Sequence, residues 1–200
     1  MAKKATEREL RKRERLAQAR IVAEIAEGSA DALRQLYDRF SGMLLGMTTK
    51  ILRDPADAEE VLQETLLQVW RQAPRYDASR SSVSTWLVLI ARSRAIDRLR
   101  NRQVVQRTAT AALQEKGDLH TSPEGMGNVF TRERRARLAR ELARLPREQR
   151  DVLEKAFYRG MTQAEIANAT STPLGTVKTR TLLAVRKLRA ALAEEVEDLL

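Results

Sequence analysis

"TPLGTVKTRTLLAVRKLR", Thr172–Arg189, carries five cations and no acid. A helix that served only a core would usually mix both signs on its wet face. On a wheel of about 100° per residue, Leu174, Val177, Thr181, Ala184, Val185 and Leu188 form one apolar stripe. Thr176, Thr179, Leu183, Arg186 and Lys187 fall opposite, Arg180 flanks them, and Lys178 lies on the other edge, nearer the core boundary. Just upstream, Thr162 and Glu165 in "TQAE" make a capping box for a short helix, Gln163 to Ala169. Thr172-Pro173 then opens the basic helix. A short capped helix, a tight turn and a basic helix form a helix-turn-helix, whose second helix enters the major groove with its N-terminal residues on base edges. Thr176, Lys178, Thr179 and Arg180 carry the hydroxyl and cationic groups such contacts use. Charge alone favours a solvated helix packed on a bundle; the cap and the turn at helix-turn-helix spacing reverse that in favour of DNA.

The rest of the chain is consistent with an acidic partner. Its 200 residues carry a net charge of +10, which suits nucleic acid, or less often an anionic membrane. No apolar run is long enough to span a bilayer. The start, "MAKKATERELRKRERLAQAR", is basic but lacks an apolar segment and a cleavage-like site, so it does not read as a secretory signal. There are no cysteines and one histidine, His120. Disulfides, thiol nucleophiles and Cys-ligated zinc are thereby excluded, no metal or other cofactor is expected, and a cytoplasmic location fits.

Helical periodicity dominates and strand-like alternation is absent, which predicts an all-α protein. Residues 1–20 read as a charged arm, helical or disordered. Ile21 to Ala26 reads as a first helix closed by Gly28. Asp31 is expected to cap a helix running through Leu33, Leu36, Tyr37 and Phe40 towards Leu52. Asp54-Pro55 places a capping carboxylate and an N1 proline at the start of the next helix, which runs to about Gln72. The loop "RYDASRSS" separates it from a helix over Val83 to about Arg102. Scattered Gly and Pro in "LQEKGDLHTSPEGMGNVF" mark residues 104–131 as a flexible linker, with His120 as a solvated loop residue. Helices resume at Arg132–Leu145 and after Pro146. The plan is two small helical domains, 21–103 and 132–200, joined by a tether.

Two stretches of the first domain oppose each other in charge. On the 54–72 helix, Ala58, Val61, Leu62, Thr65, Leu66 and Val69 form a core stripe. Asp57, Glu60, Glu64 and Leu67 are expected to face away, with Gln63 and Gln68 flanking. An apolar residue inside a polar rim is what a protein-docking face requires; a solvated helix face is the plainer alternative. On the 83–102 helix, Arg92, Arg94, Arg98, Arg100 and Arg102 crowd together, with Trp86, Leu89 and Ile90 as its apolar side.

"LPREQRDVLEKAFYRGMTQAEIANATSTPLGTVKTR" (Leu145–Arg180) resembles region 4 of bacterial sigma-70-family factors, in the form typical of the extracytoplasmic-function (ECF) group. "DPADAEEVLQETLLQVW" (Asp54–Trp70) and "STWLVLIARSRAIDRLR" (Ser84–Arg100) resemble the family's region 2. The resemblance implies a sigma factor that binds core RNA polymerase and directs it to promoters, without covalent chemistry of its own. It implies that Glu60, Gln63, Glu64 and Leu67 meet the clamp helices of the polymerase β′ subunit, with the β flap as a further contact. Melted −10 DNA falls to Asp77, Ser79, Arg80 and Ser81, where a flipped base is received, and to Ser93 and Asp97. Asp97 is equally well placed to pair with Arg94 or Arg100. The −35 duplex falls to Thr176, Lys178, Thr179, Arg180 and Leu183. Leu183 departs from the arginine common there. An anti-sigma factor is a usual partner of the group. Substitutions at Glu64 and Leu67, both off the core stripe, are expected to spare the fold. The rivals are a stand-alone helix-turn-helix regulator that binds duplex DNA without polymerase, and a helical nuclease needing clustered carboxylates.

Overall fold

The computed structural model describes residues 2–109 and 129–193, and every element among them is helical. The chain divides into two compact units. The first holds α1 (Ala2–Ala26), α2 (Ala30–Leu52), α3 (Pro55–Gln72), a short 3-10 turn (Ala73–Arg75) and α4 (Val83–Ala109). The second holds α5 (Val129–Arg144), α6 (Arg147–Tyr158), α7 (Gln163–Ala169) and α8 (Leu174–Ala191). The centre of the expected linker, with His120, lies outside the described residues. Its edges do not behave as linker: α4 continues seven residues beyond Arg102, and α5 starts at Val129. No Gly or Pro interrupts either extension, so nothing in them stops a helix.

The first unit packs α1 to α4 around Val22, Ile25, Leu36, Phe40, Leu44, Leu62, Val69, Leu87 and Ile90. The arm and first helix expected separately over residues 1–26 are one continuous helix, closed by Gly28 at φ +92°. α2 is capped by Ser29, whose Oγ accepts from Ala32 N at 3.2 Å; Asp31 sits in the first turn instead of at the cap. There its charge still suits the positive end of the helix. Asp54 caps α3 as expected, accepting from Ala56 N and Asp57 N. Two threonines are buried in this core, and both satisfy themselves locally. Thr48 donates to Leu44 O and Thr65 to Val61 O, which removes the cost of an unpaired buried hydroxyl.

The second unit has a much smaller core: Val152, Ile166, Ala167 and Val177, with Ala156 and Met161 packed on it. Two local devices hold α7 and α8 at their angle. The capping box is present, with Thr162 Oγ1 accepting from Glu165 N at 3.2 Å and Glu165 Oε2 accepting from Thr162 N at 2.6 Å. The turn that follows places Ser171 at φ 48°, and Thr172 N donates to Ala167 O. With so few buried side chains, each cap carries a large share of the unit's stability. Thr162→Ala is expected to cost about 0.5–2 kcal/mol, seen as an earlier loss of amide-exchange protection in α7 and α8 than in α2 and α3.

Candidate functional site

α8 packs a narrower stripe than its sequence suggests. Val177 and Ala184 are buried, and Thr181 and Leu188 are half-buried. Leu174 and Val185, expected in the core, are exposed. Among the described residues α5, α6 and α7 pack against α8, and of its side chains Val177 and Ala184 are buried. The other face is open: Lys178, Thr179, Leu183, Arg186 and Lys187 are exposed, Thr176 and Arg180 half-buried. Lys178 is thus further from the core than the wheel placed it, and Arg180 nearer. Thr179 Oγ1 donates to Gly175 O at 3.0 Å, which leaves its oxygen free to accept from a base amine. Gly175 has a helical φ, and nothing within 4 Å would meet a Cβ there.

The loop before α4 is locally built. Asp77 Oδ1 accepts from Ser79 N at 2.9 Å and from Ser79 Oγ at 2.7 Å, and Arg80 N donates to Asp77 O. These bonds, the Ser79 hydroxyl first, hold the Asp77 carboxyl below its usual range. Tyr76 closes the loop by donating to Ser81 O at 2.8 Å, and its ring lies against Trp86, centroids 4.9 Å apart. Burial pushes the Tyr76 phenol up. Trp86 itself is half-buried against the core. Asp77, Ser79 and Arg80 are exposed, and Ser81 is half-buried. On α4, Ser93 and Asp97 are exposed one turn apart, the geometry of a shared face. Leu89, expected on the apolar side, is 59% exposed and lies one turn before Ser93 on that face. Arg94 is engaged with α3, not with Asp97.

The acids of α3 do not simply face away. Arg94 donates to Glu64 Oε2 at 2.8 Å and to Gln68 Oε1 at 2.7 Å. Arg98 bridges Glu60, Glu64 and Asp57. Arg102 pairs with Asp54 at 3.0 Å and also contacts Asp57, ionically and without hydrogen-bond alignment at Oδ2. Rising numbers on α4 meet falling numbers on α3, so the two helices run antiparallel through an arginine–carboxylate ladder. The expected surface is therefore split. Glu64 is half-buried in the ladder, so the expectation that Glu64→Arg spares the fold is corrected: it would set a third cation beside Arg94 and Arg98. Gln63 and Leu67 remain exposed, Leu67 by 59%. Trp70, 38% exposed, joins them. Sequence reading passed over Trp70, although its spacing of three from Leu67 and seven from Gln63 marks the same face.

Two helical units, one a helix-turn-helix and the other a four-helix unit with Leu67 and Trp70 exposed on α3, define a two-module DNA-binding class. Family models agree: Sigma-70 region 2 matches residues 36–104 and Sigma-70, region 4 matches residues 142–190. The chain is 33% identical over 175 residues to the ECF RNA polymerase sigma factor SigK of Mycolicibacterium vanbaalenii, covering 86% of this chain and 87% of that one. It is 37% identical over 163 residues to the ECF RNA polymerase sigma factor RpoE of Cereibacter sphaeroides, covering 79% and 84%. A crystal structure of Rhodobacter sphaeroides SigE in complex with the anti-sigma ChrR is similar at 31% identity and TM-score 0.42, covering 88% and 96%. The chain belongs to the sigma-70 family, as an ECF RNA polymerase sigma factor. The region 2 match sets aside the stand-alone regulator, and the carboxylates of α3 are met by arginines, where the nuclease would need them grouped around a metal.

The ladder has a pH signature. The Arg102 guanidinium, then the amides of the first turn, lower the Asp54 carboxyl below its ordinary 3.8. A depressed folded-state value contributes stability that is complete above the unfolded value and fades as pH falls through the folded one. Asp54→Asn keeps a capping oxygen but removes the charge. The variant is expected to show a shallower loss of stability than wild type below about pH 4, measured by urea unfolding at stepped pH.

Proposed function

We propose that this chain selects promoters for core RNA polymerase through three surfaces, each supported by a different observation. The α3 face of Glu60, Gln63, Leu67 and Trp70, with Glu64 at its laddered edge, docks on the β′ clamp helices. An exposed leucine and tryptophan inside an acidic and amide rim support this, because anchors of that kind dominate docking energies. The loop Asp77, Ser79, Arg80, Ser81 and the α4 residues Ser93 and Asp97 take the melted −10 strand. A preformed turn with exposed polar tips supports a pocket for an unstacked base. α8 enters the −35 major groove through Thr176, Lys178, Thr179, Arg180 and Leu183, while the second unit also meets the β flap.

The observation that carries the reading is the open cationic face of α8 behind an intact cap and turn. The polymerase makes the phosphodiester bonds; this chain does no covalent chemistry. It works in the cytoplasm, and an anti-sigma factor restrains it. Among the described residues no helix is long and apolar enough to cross a membrane, so membrane attachment of the pair would rest with that partner. Run-off transcription with core polymerase on a genomic promoter library tests the whole reading: no transcript above core alone would overturn it.

Leu67→Glu is expected to weaken core polymerase binding by tenfold or more with an unchanged melting temperature, since Leu67 is 59% exposed and lies outside the ladder. Affinity equal to wild type would remove this face from the polymerase.

On α8, Arg180→Ala is expected to cost about 1–3 kcal/mol of promoter binding and to relax preference at one base pair. Leu183 decides between two roles. If it packs on a thymine methyl, Leu183→Ala weakens the matching promoter and spares one with cytosine there. If it only vacates a phosphate contact, Leu183→Arg strengthens binding to every sequence. Gly175→Ala meets open space, so the helix should gain stability; weakened promoter titration in that variant would show that DNA, not the fold, requires the missing Cβ.

A further inference from the structure

Residues 1–20 hold eight cations and three acids, a net of +5 in a chain whose total is +10. They lie outside both family matches. Their helix is nonetheless anchored. Val22 and Ile25 bury its C-terminal end in the first core. Further back, Glu14 pairs with Arg39 of α2, and Arg15 donates to Ala78 O at 3.1 Å, in the loop that follows α3. Glu14, Arg15 and Gln18 are half-buried on that inner side, while Lys12, Arg13, Leu16 and Arg20 face solvent. From Arg15 back to Ala2 the helix runs about 20 Å.

α1 is thus a cationic rod that starts against the Asp77–Ser81 loop and continues past it. Its exposed ion pairs, Arg13 with Glu9 at 3.6 Å and Arg20 with Glu24 at 3.2 Å, are between well-solvated side chains. Pairs of that kind hold their partners weakly. A nucleic acid backbone, with a duplex charge every 1.7 Å or so of axis, competes for the same guanidinium and ammonium groups by releasing condensed counterions. Leu10 and Leu16 are also exposed on the rod. Two leucines set among cations make a poor apolar anchor beside that much charge.

We propose that α1 is a nucleic-acid contact in its own right, its exposed cations lying on promoter backbone phosphates next to the melted segment, independently of sequence. The proposal rests on the reading that the Asp77–Ser81 loop meets DNA, because the Arg15–Ala78 contact is what places the rod there.

The test uses full-length chain assembled with core polymerase and titrated with promoter duplex across a salt series. Lys12→Gln/Arg13→Gln removes two cations that make no core contact. The expected result is severalfold weaker promoter binding at low salt, a plot of log K against log salt shallower by about two, the same ranking of promoter sequences, and unchanged affinity for core polymerase. Lys12→Glu/Arg13→Glu should deepen the loss. An unchanged salt slope in both variants overturns the proposal. A loss that appears in core polymerase binding also overturns it and makes the rod a protein-docking element. Arg180→Ala serves as the internal control. If it weakens promoter binding while the arm variants do not, only the role of α1 falls; if it too has no effect, the reading of promoter contact falls with it.

Discussion

Arg98 reaches from α4 to three carboxylates of α3, and Arg94 and Arg102 repeat the pattern one turn to either side. Energetically this ladder is minor. Partly exposed ion pairs such as these contribute on the order of 1 kcal/mol each, whereas each fully buried aliphatic side chain of the first core contributes about 1.5–3 kcal/mol. Its consequence is geometric. Close packing of the core already sets the azimuth of each helix. A run of arginines at i, i+4 and i+8 facing carboxylates and an amide on an antiparallel helix reinforces that setting at the surface. With α4 fixed in azimuth, Leu89, Ser93 and Asp97 are left outward. With α3 fixed, Gln63, Leu67 and Trp70 are left outward. The surface assigned to polymerase and the surface assigned to melted DNA are therefore tied together by a ladder whose carboxylates Glu60 and Glu64 border the first of them.

That also explains which parts of the chain were legible beforehand. Helix number, the Asp54 cap, the Thr162 and Glu165 capping box and the α3 core stripe all follow from spacing within one segment, and the structure places them as read, save that Leu66 of the stripe is only half-buried. What the sequence hid was pairing between segments. The arginines of α4 look like a DNA-facing patch until α3 is beside them, and the acids of α3 look solvated until α4 is. Wheel readings also assume that a neighbour covers the whole apolar arc. α8 has too few neighbours, so Leu174 and Val185 emerge. α4 has its full set of neighbours, yet Leu89 points away from them. The continuous α1 was obscured for a related reason. A charged arm with few apolar residues reads as either helical or disordered until Glu14 and Arg15 are seen to be tied down by α2 and the Ala78 loop.

The two units handle charge in opposite ways. In the first, cations are matched to acids across a helix pair, and the matching gives shape. In the second, α8 contains no acid and leaves its cations outward. Its small core cannot tolerate much misorientation, so caps and a left-handed Ser171 set the approach angle instead. If α8 enters a groove as proposed, it gains from this economy, since bulk on its open side would block entry.

The net charge of +10 then has an address. Within the described part of the first unit, arginines and carboxylates of α3 and α4 largely cancel. Residues 1–20, at a net +5, and α8, with five cations and no acid, carry the largest surpluses, and α5 adds six arginines against two acids. Counterion release scales with phosphates neutralised, not with total protein charge. A chain that cancelled its charge uniformly would bind DNA weakly everywhere. A chain that spread its surplus evenly would bind any polyanion in any orientation. On the proposed reading, the surplus on α8 would lie at the groove contact and that on α1 beside the base-receiving loop, and the sequence-independent attraction would then itself be directional. It would draw the backbone towards the side chains proposed to read it.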